Sequence, residues 1–364
     1  MPSVGGRKAA APRRRSSSGW PLLLSLWLLS CRASAQEGTL RFAELGDCTL
    51  ASGAVIHDCR IGYRTWGALN AARDNAVLFT TWFTGTSASL ADSIGPGKLV
   101  DPRRLFVIGV DALGNGASSS PSNSPSQART KFPVFTIRDL VETQRRLLVE
   151  VLNVTHLRAV MGISMGGMQS FQWVVSHPDF MDRAVPILGT PRQTARDLLL
   201  WRAMLSAIRS DPAYRGGDYA EPPVLATAAD IAELNLRTPK YLAEHVPAER
   251  YPAFAEEIEA RDRFDANDRV RQLEAMIAHD VGATAGGSLE QAAARVKARM
   301  LIVVALQDQM VNPLPALAFA RLVGAETLVL DDECGHLALD CEGERVNAAV
   351  RRFLLEEEGG ASRP

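Results

Sequence analysis

The sequence predicts an α/β fold around a mostly parallel sheet, and three observations support this. Short, almost continuously apolar segments recur along the chain, as expected for strands that are buried on both faces. Helical patterns lie between them, and this alternation favours a parallel sheet covered by helices on both sides. One long stretch without strand signals predicts a helical insertion. The segments predicted as core strands are 76–82, 105–110, 157–163, 184–188, 300–306 and 327–330.

The remaining elements follow from the same patterns. Segments 41–45 and 55–65 are more polar and predict antiparallel strands. Apolar residues recur on one side of the chain in four further segments, which predicts amphipathic helices. These segments are 137–152, 166–176, 313–323 and 343–355.

The insertion divides the predicted core into two parts. Residues 191–298 are rich in charged residues and alanine, and their apolar residues recur at helical spacing. A helical segment between two sheet strands is typical of a lid, so we expect a core formed by 36–190 and 299–356. The tail, 357–364, is predicted to be disordered.

The N-terminus has the pattern of a secretory signal peptide. Residues 1–35 contain six basic residues and no acidic residue, and an apolar stretch at 20–29 precedes Ala33-Ser34-Ala35. This order predicts export to the periplasm or the medium, with cleavage after Ala35. A disordered basic tail is the alternative.

The N-terminus also matches two other types of export signal in part, so the sequence does not determine which export pathway is used. Residues 13–17 resemble a twin-arginine signal. Residues 28–31 resemble a lipoprotein box, which makes lipid attachment at Cys31 a second, less favoured alternative.

The charge of the processed chain limits its partners. Removal of residues 1–35 leaves 34 basic and 41 acidic residues, a net charge of −7. An acidic protein repels phosphate backbones, so we expect no nucleic-acid partner. From residue 36 onward no segment is apolar and long enough to span a bilayer, so no transmembrane span is expected after signal removal.

Four cysteines remain after residue 35, and they predict two disulfides. Cys48 and Cys59 flank a short turn, and Cys334 and Cys341 lie on either side of His336. Such bonds persist in an oxidising compartment, in agreement with export. The rival interpretation is a metal site formed by Cys334, His336 and Cys341. It lacks a second ligand cluster and the usual zinc spacing, so we expect no metal.

The motif Gly162-Ile163-Ser164-Met165-Gly166 indicates the chemistry. It follows a predicted strand and precedes a predicted helix. A serine at such a turn can present its hydroxyl above a sheet, and the glycines permit the tight turn and close packing. The five-residue pattern can arise by chance, so its context decides.

The sequence also supplies a base and a third residue that orients it. Asp308 follows the strand at 300–306, and His336 follows the strand at 327–330. The carboxyl ends of parallel strands meet at one edge of a sheet. A serine needs a base to remove its proton, and the base needs an orienting group. The order Ser164, Asp308, His336 is that of α/β-hydrolases, so we predict an α/β-hydrolase fold with a catalytic triad.

Each of these residues also has a structural interpretation. Asp308 could cap the helix predicted at 313–323, and His336 could be a loop histidine without a catalytic role. The presence of all three residues at strand ends favours the triad.

An acyl-transfer enzyme also needs backbone N–H groups that stabilise the oxyanion. We expect one from Met165, directly after the nucleophile, and one from Phe83, in the loop after the strand at 76–82. The alternative for that loop, Phe83-Thr84-Gly85-Thr86, is an ordinary glycine turn.

From about residue 39 to residue 355 the sequence resembles the homoserine O-acetyltransferase family. The segments that carry the resemblance are Tyr63-Arg64-Thr65-Trp66-Gly67-Ala68-Leu69-Asn70, Arg73-Asp74-Asn75, Gly95-Pro96-Gly97-Lys98, 162–169, Phe264-Asp265-Ala266-Asn267 and Gly335-His336. The resemblance implies that Ser164 accepts an acyl group from acyl-CoA, with His336 as base and Asp308 as its orienter, and then passes it to an alcohol. It implies acetyl-CoA as a co-substrate, no other cofactor, and a homodimer that pairs through the lid.

The sequence departs from this family at its substrate site. Leu337 occupies the position of the family aspartate that binds the homoserine amine. Arg202 resembles the family arginine that holds the substrate carboxylate. The loop 111–120 also differs, and an exported enzyme would meet little acetyl-CoA.

We therefore predict a serine-dependent acyl-transfer enzyme that acts on a small-molecule ester or acyl donor. The acceptor is water or an unidentified alcohol. One alternative is a homoserine O-acetyltransferase that uses acetyl-CoA, which Leu337 opposes. The other is a non-catalytic secreted binding protein on a hydrolase fold, which the complete triad opposes.

Overall fold

A central sheet organises the computed structural model, which describes residues 38–261 and 263–356. The strands are β1 Arg41–Glu44, β2 Cys48–Thr49, β3 Val55–Ile56, β4 Arg60–Trp66, β5 Ala76–Thr80, β6 Phe106–Val110, β7 Leu157–Ile163, β8 Met181–Ile187, β9 Arg299–Ala305 and β10 Glu326–Leu330. The predicted signal peptide, Cys31 and the tail after residue 356 lie outside the described residues.

Within the described residues, the sheet contains eight strands in the order β1-β4-β6-β5-β7-β8-β9-β10. β1 and β4 pair antiparallel, as do β4 and β6. The remaining pairs are parallel, so six neighbouring strands run in one direction: β6, β5, β7, β8, β9 and β10. β2 and β3 form a separate antiparallel pair. The prediction of a mostly parallel sheet with an antiparallel start is confirmed.

The described helices flank this sheet, and six of them lie between β8 and β9 along the chain. They are α1 Ile137–Arg146, α2 Met165–Ser176, α3 Ala195–Ser210, α4 Ala226–Leu236, α5 Pro239–His245, α6 Tyr251–Arg261, α7 Ala266–Ile277, α8 Leu289–Ala293, α9 Leu314–Val323 and α10 Ala338–Leu355. We call the helices α3 to α8, between β8 and β9, the helical insertion. No helix of the described chain is long and apolar enough to cross a membrane.

The core strands β5 to β9 are mostly buried on both faces, as their apolar sequences predict, while β10 at the edge of the sheet is only partly buried. In β5, Leu78 packs into the apolar cluster that includes α1 and α2, while Val77 and Phe79 pack into the cluster that includes α10. Alternate side chains of a strand point to opposite faces, so an all-apolar strand can fill two cores.

Most predicted boundaries lie within three residues of the observed ones, and three elements differ more. The segment 55–65 is broken into β3 and β4, because the chain turns at Asp58, which has a φ of 50°, and Cys59 is joined to Cys48. The helix predicted at 137–152 leaves α-geometry after Arg146 and continues as one wider π turn, Leu147–Val151. The last helix begins at Ala338, five residues earlier than predicted, directly after the turn that carries His336.

The helical insertion is joined to the core by a buried carboxylate. Asp268, in the first turn of α7, accepts hydrogen bonds from the Ser122 N–H at 2.9 Å and from the Ser122 hydroxyl at 2.6 Å. Burial raises the pKa of Asp268 to about 7 in spite of these two bonds. The folded protein therefore holds a proton there that an unfolded aspartate releases near pH ~3.9.

Because Asp268 has a raised pKa, we predict that the free energy of unfolding depends on pH and that Asp268→Asn removes this dependence. Because the folded-state pKa is raised, the stabilisation is complete at low pH and is lost as the pH rises toward about 7. Asparagine can keep both bonds to Ser122 but does not titrate. Between pH ~5 and pH ~8 we expect wild type to lose roughly 2–3 kcal/mol of unfolding free energy relative to the variant, measured in urea.

The difference between wild type and Asp268→Asn reports the titration of the Asp268 carboxyl group alone. Burial lowers the pKa of His279 to about 4, which gives the opposite slope in part of this range, but His279 is the same in both proteins. Parallel pH dependences of wild type and Asp268→Asn would contradict the prediction.

Candidate active site

Ser164 lies on a sharp turn between β7 and α2. Its φ of 56° and ψ of −117° are unfavourable for a residue with a side chain, and such strain is typical of a nucleophile that a strand-to-helix turn projects outward. A Cβ atom on Gly162 would lie 2.2 Å from Thr80 Oγ1 and 2.4 Å from the carbonyl carbon of Gly166. Only glycine fits there, which explains the G-x-S-x-G spacing.

The structure brings the three predicted triad residues together. His336 Nε2 lies 2.9 Å from Ser164 Oγ, and His336 Nδ1 lies 2.7 Å from Asp308 Oδ2. The Asp308 and His336 side chains are 2% and 7% exposed, so solvent barely weakens their interaction. Asp308 comes from the loop after β9 and His336 from the loop after β10.

The partners of His336 fix the position of its proton. An ionised carboxylate can only accept a hydrogen bond, so Nδ1 carries the proton and donates to Asp308. Nε2 is then the acceptor for the Ser164 hydroxyl, which is the orientation that a general base requires. The other oxygen of Asp308, Oδ1, accepts the Met310 and Val311 N–H groups at 2.8 and 2.9 Å and holds the carboxylate in place.

The two N–H groups predicted to stabilise an oxyanion are those of Met165 and Phe83. Met165 begins α2, and Phe83 lies in the loop after β5. In the described part of the chain, neither N–H donates a hydrogen bond to a protein acceptor. The next N–H of the loop, that of Thr84, is already bound to Gln272 Oε1 at 2.9 Å.

The loop that carries Phe83 is held on several sides. Buried Asp111 accepts from the Ser87 N–H and hydroxyl, both at 2.6 Å, and Gln169 Nε2 donates to the Thr81 carbonyl at 2.9 Å. Gln272, from the helical insertion, bonds both to Thr84 and to the Leu113 carbonyl at 3.2 Å. The loop is thus preorganised by the core and by the insertion.

A cavity of about 720 Å³ opens above Ser164 and His336. Its apolar lining comes from the core and from the helical insertion. The core contributes Trp82, Phe83, Ile163, Met310, Leu337 and Leu339, and the insertion contributes Trp201, Met204, Ala229, Ala232, Leu236, Ile258 and Met276. A largely apolar cavity with a few polar groups near the reactive atoms is typical of a small-molecule site.

Two acidic residues that line the cavity form ion pairs with arginines. Glu233 lines it and pairs with Arg261 at 3.3 Å, and Asp340 lines it and pairs with Arg237 at 2.7 Å. Asp92 and Arg269 also lie on the lining, as do the uncharged Ser89, Ser93 and Thr84.

Arg202, expected to hold a substrate carboxylate, is placed outside this cavity. It is exposed on α3, and its neighbours Trp201 and Met204 line the cavity instead. Residues three apart share a helix face, while the residue between them points elsewhere. Leu337, by contrast, lies on the cavity lining beside His336.

Both predicted cysteine pairs are joined in the structure. Cys48 is bonded to Cys59, and Cys334 to Cys341. Asp332 lies close to the second pair, but both sulfurs there are in the disulfide and are not free as thiolates for a metal.

Several residues of the site carried no signal in the sequence. The insertion side chains that line the cavity lie 37 or more residues after Ser164, and Gln272 lies 188 residues after Thr84. Asp111 is the exception, because a polar residue directly after an apolar strand marks the functional edge of a sheet.

Several known proteins are similar to this chain over most of its length. The family profile of the alpha/beta hydrolase fold matches residues 82–342. A probable esterase of Corynebacterium glutamicum is 31% identical over 336 residues, which cover 88% of this chain and 96% of that protein. A homoserine O-acetyltransferase of Leifsonia xyli is 32% identical over 390 aligned positions, which cover 93% and 94%.

The solved structure of the acetyl esterase MekB has a TM-score of 0.82 and 29% sequence identity, over 88% of this chain and 98% of its own. Sequence and structure thus relate the chain both to esterases and to acetyltransferases. The chain belongs to the α/β-hydrolase fold family, in the group that contains homoserine O-acetyltransferases and related esterases.

Proposed function

We propose that the protein is a carboxylester hydrolase that acts through an acyl-enzyme at Ser164. The observation that carries this proposal is the continuous hydrogen-bonded series from Asp308 through His336 to Ser164. Such a series activates a serine hydroxyl for attack on an ester carbonyl.

In the proposed reaction, His336 moves one proton in each half. It takes the proton of Ser164 as Oγ attacks the ester carbonyl, and the oxyanion accepts hydrogen bonds from the N–H groups of Met165 and Phe83. As the intermediate collapses, His336 gives this proton to the leaving alcohol. A water molecule then attacks the acyl-serine, His336 takes its proton, and return of that proton to Ser164 releases the carboxylic acid.

Leu337 favours water over homoserine as the acyl acceptor. An apolar side chain beside the catalytic histidine cannot pair with the ammonium group of an amino acid, and burying an unpaired charge is costly. Of the three carboxylates on the cavity lining in the described chain, Glu233 and Asp340 already pair with arginines, and Asp92 is exposed. Arg202, the expected partner for a substrate carboxylate, is exposed and outside the cavity.

Comparison of acyl donors tests this proposal. We expect purified protein to hydrolyse p-nitrophenyl acetate at a rate that homoserine does not change, and to leave acetyl-CoA intact with or without homoserine. Consumption of acetyl-CoA that depends on homoserine and yields O-acetylhomoserine would identify the alternative, a homoserine O-acetyltransferase.

Leu337→Asp should move the enzyme toward an amino-acid acceptor. The new carboxylate would lie in the cavity and could pair with an ammonium group, while it makes the lining less favourable for apolar esters. We expect KM for p-nitrophenyl butyrate to rise about tenfold, which corresponds to roughly 1.4 kcal/mol of lost apolar contact and added desolvation. Homoserine should become a competitive inhibitor or an acceptor of the butyryl group.

Leu337→Asn is the matched control for this change. It adds a polar group of the same size without a charge, so it should raise KM for the ester but give no response to homoserine. An equal response of both variants to homoserine would contradict the role assigned to charge at this position.

Export and a lid role for the insertion also belong to this proposal. The two disulfides support an oxidising compartment. The lining that the insertion contributes supports a lid over Ser164. Pairing of two chains through the insertion remains a prediction, which the mass of the protein in solution would test.

A further inference from the structure

The loop that carries His336 is bound to the helical insertion at several points. This loop connects β10 to α10 and contains one 3₁₀ turn, Gly335–Leu337. The junction between α4 and α5 of the insertion, residues 237–238, faces it. If His336 is the base of the proposed reaction, these contacts bear directly on its position.

Thr238 makes the central contact. Its hydroxyl lies 2.9 Å from the Glu333 carbonyl and 2.8 Å from Glu333 Oε2, and it also accepts the Tyr241 N–H at 3.1 Å as the cap of α5. The Thr238 N–H points to the same Glu333 carbonyl at 3.4 Å. Hydrogen bonds from Thr238 and then from Lys240 lower the pKa of Glu333 and keep it ionised.

Arg237 makes a second contact on the other side of the loop. Its Nη2 donates to Asp340 Oδ2 at 2.7 Å, and its Nη1 lies 3.4 Å from Cys334 Sγ. The guanidinium group also lies over the Tyr241 ring, 4.3 Å from its centroid. Arg237 therefore binds the loop just before His336 and the first turn of α10 just after it.

Between these contacts the two backbones touch. Gly335 has a φ of 63°, and a Cβ atom there would lie 3.2 Å from the Leu236 carbonyl oxygen and 3.4 Å from Arg237. The disulfide from Cys334 to Cys341 ties the loop to α10 on its far side. His336 thus projects from a short turn that is held by the insertion on one side and by α10 on the other.

We propose that Thr238 and Arg237 are positioning residues for His336, and that they hold it at hydrogen-bond distance from Ser164. The insertion would then have two roles in the proposed reaction, because it lines the cavity and also fixes the base. A displacement of about 1 Å in a reacting group can cost about a hundredfold in rate, so loss of such a contact should lower kcat. Because neither side chain lies on the cavity lining, KM should change little.

The test compares Thr238→Val with Thr238→Ser in the full-length protein. Valine keeps the shape of threonine but removes the hydroxyl that bonds to Glu333, and serine keeps that hydroxyl. We expect Thr238→Val to lower kcat for p-nitrophenyl acetate by about 10- to 100-fold with KM within about threefold of wild type. Thr238→Ser should stay within about threefold of wild type in both constants.

Hydrogen–deuterium exchange supplies a second readout that does not depend on activity. In Thr238→Val, the amides of 334–341, including the Leu337 N–H that bonds to the Cys334 carbonyl, should exchange faster, while those of β7 stay unchanged. Ser288→Ala is the matched control, because Ser288 caps α8 of the same insertion by accepting the Gln291 N–H and has no bond to the His336 loop. It should alter neither kcat nor exchange in 334–341.

The outcomes separate this proposal from the proposed function. Wild-type kcat or unchanged loop exchange in Thr238→Val would overturn the positioning role, as would a loss of kcat in Ser288→Ala of the same size. A wild-type protein without esterase activity would overturn the proposed function, and with it the catalytic part of the positioning role. Hydrogen–deuterium exchange of 334–341 in Thr238→Val would then still show whether the insertion restrains the loop that carries His336.

Discussion

Replacement of Ser164 by alanine is expected to reduce kcat/KM for p-nitrophenyl acetate by about 10⁴- to 10⁶-fold. Among the described residues, Ser164 is the only one whose side chain hydrogen-bonds to His336 Nε2, at 2.9 Å, so we expect no second nucleophile to replace it. The oxyanion donors would remain, so a small residual rate above that of water is expected. Steady-state hydrolysis at one pH, with both proteins at the same concentration of folded protein, measures this loss.

Ser170→Ala is the matched control for the loss of a hydroxyl in the same helix. Ser170 lies in α2 and donates to the Gly166 carbonyl at 3.0 Å, away from His336. It should retain activity within a fewfold of wild type. If both alanine variants lost activity equally while remaining folded, hydroxyl removal at Ser164 would not be the cause.

Asp308→Asn is expected to have the second largest effect, a loss of about 10⁴-fold in kcat. The asparagine oxygen can still accept the Met310 and Val311 N–H groups, so the loop after β9 should keep its shape. Its amide nitrogen would face His336 Nδ1 and can only donate. The imidazole would then carry its proton on Nε2, where it cannot accept the proton of Ser164.

Asp331→Asn is the control for this prediction. Asp331 is exposed and accepts a hydrogen bond from Gln307, the residue before Asp308 in the chain. Measurement of kcat and of thermal unfolding for both variants separates a tautomer effect from loss of fold. Near-wild-type kcat in Asp308→Asn would contradict the assigned role.

The parallel core and the triad could be predicted because local patterns determine them. Strands such as 157–163 are apolar except for Arg158, since both faces are buried, and their ends fall at one edge of the sheet. Ser164 follows such a strand directly, and Asp308 and His336 lie in the loops after β9 and β10. The topology of the sheet was therefore sufficient to predict that these three residues lie together.

The insertion could not be predicted in the same detail. Its helices show which residues are apolar but not which core residues they meet, because packing between distant segments leaves no local pattern. Arg202 illustrates this limit, since the resemblance implied a substrate contact and the structure places it in solvent. The contacts of Thr238 and Gln272 illustrate it from the other side, because both polar residues look ordinary in the sequence and bind loops of the site.

Covalent labelling with a fluorophosphonate tests the central claim, acyl-enzyme chemistry at Ser164, most directly. A fluorophosphonate forms a stable bond with an activated serine and releases fluoride, so intact mass followed by peptide mapping locates the reactive hydroxyl. We predict one adduct per wild-type chain, on Ser164, and none on Ser164→Ala. An unlabelled wild-type protein, or equal labelling of Ser164→Ala, would contradict the account.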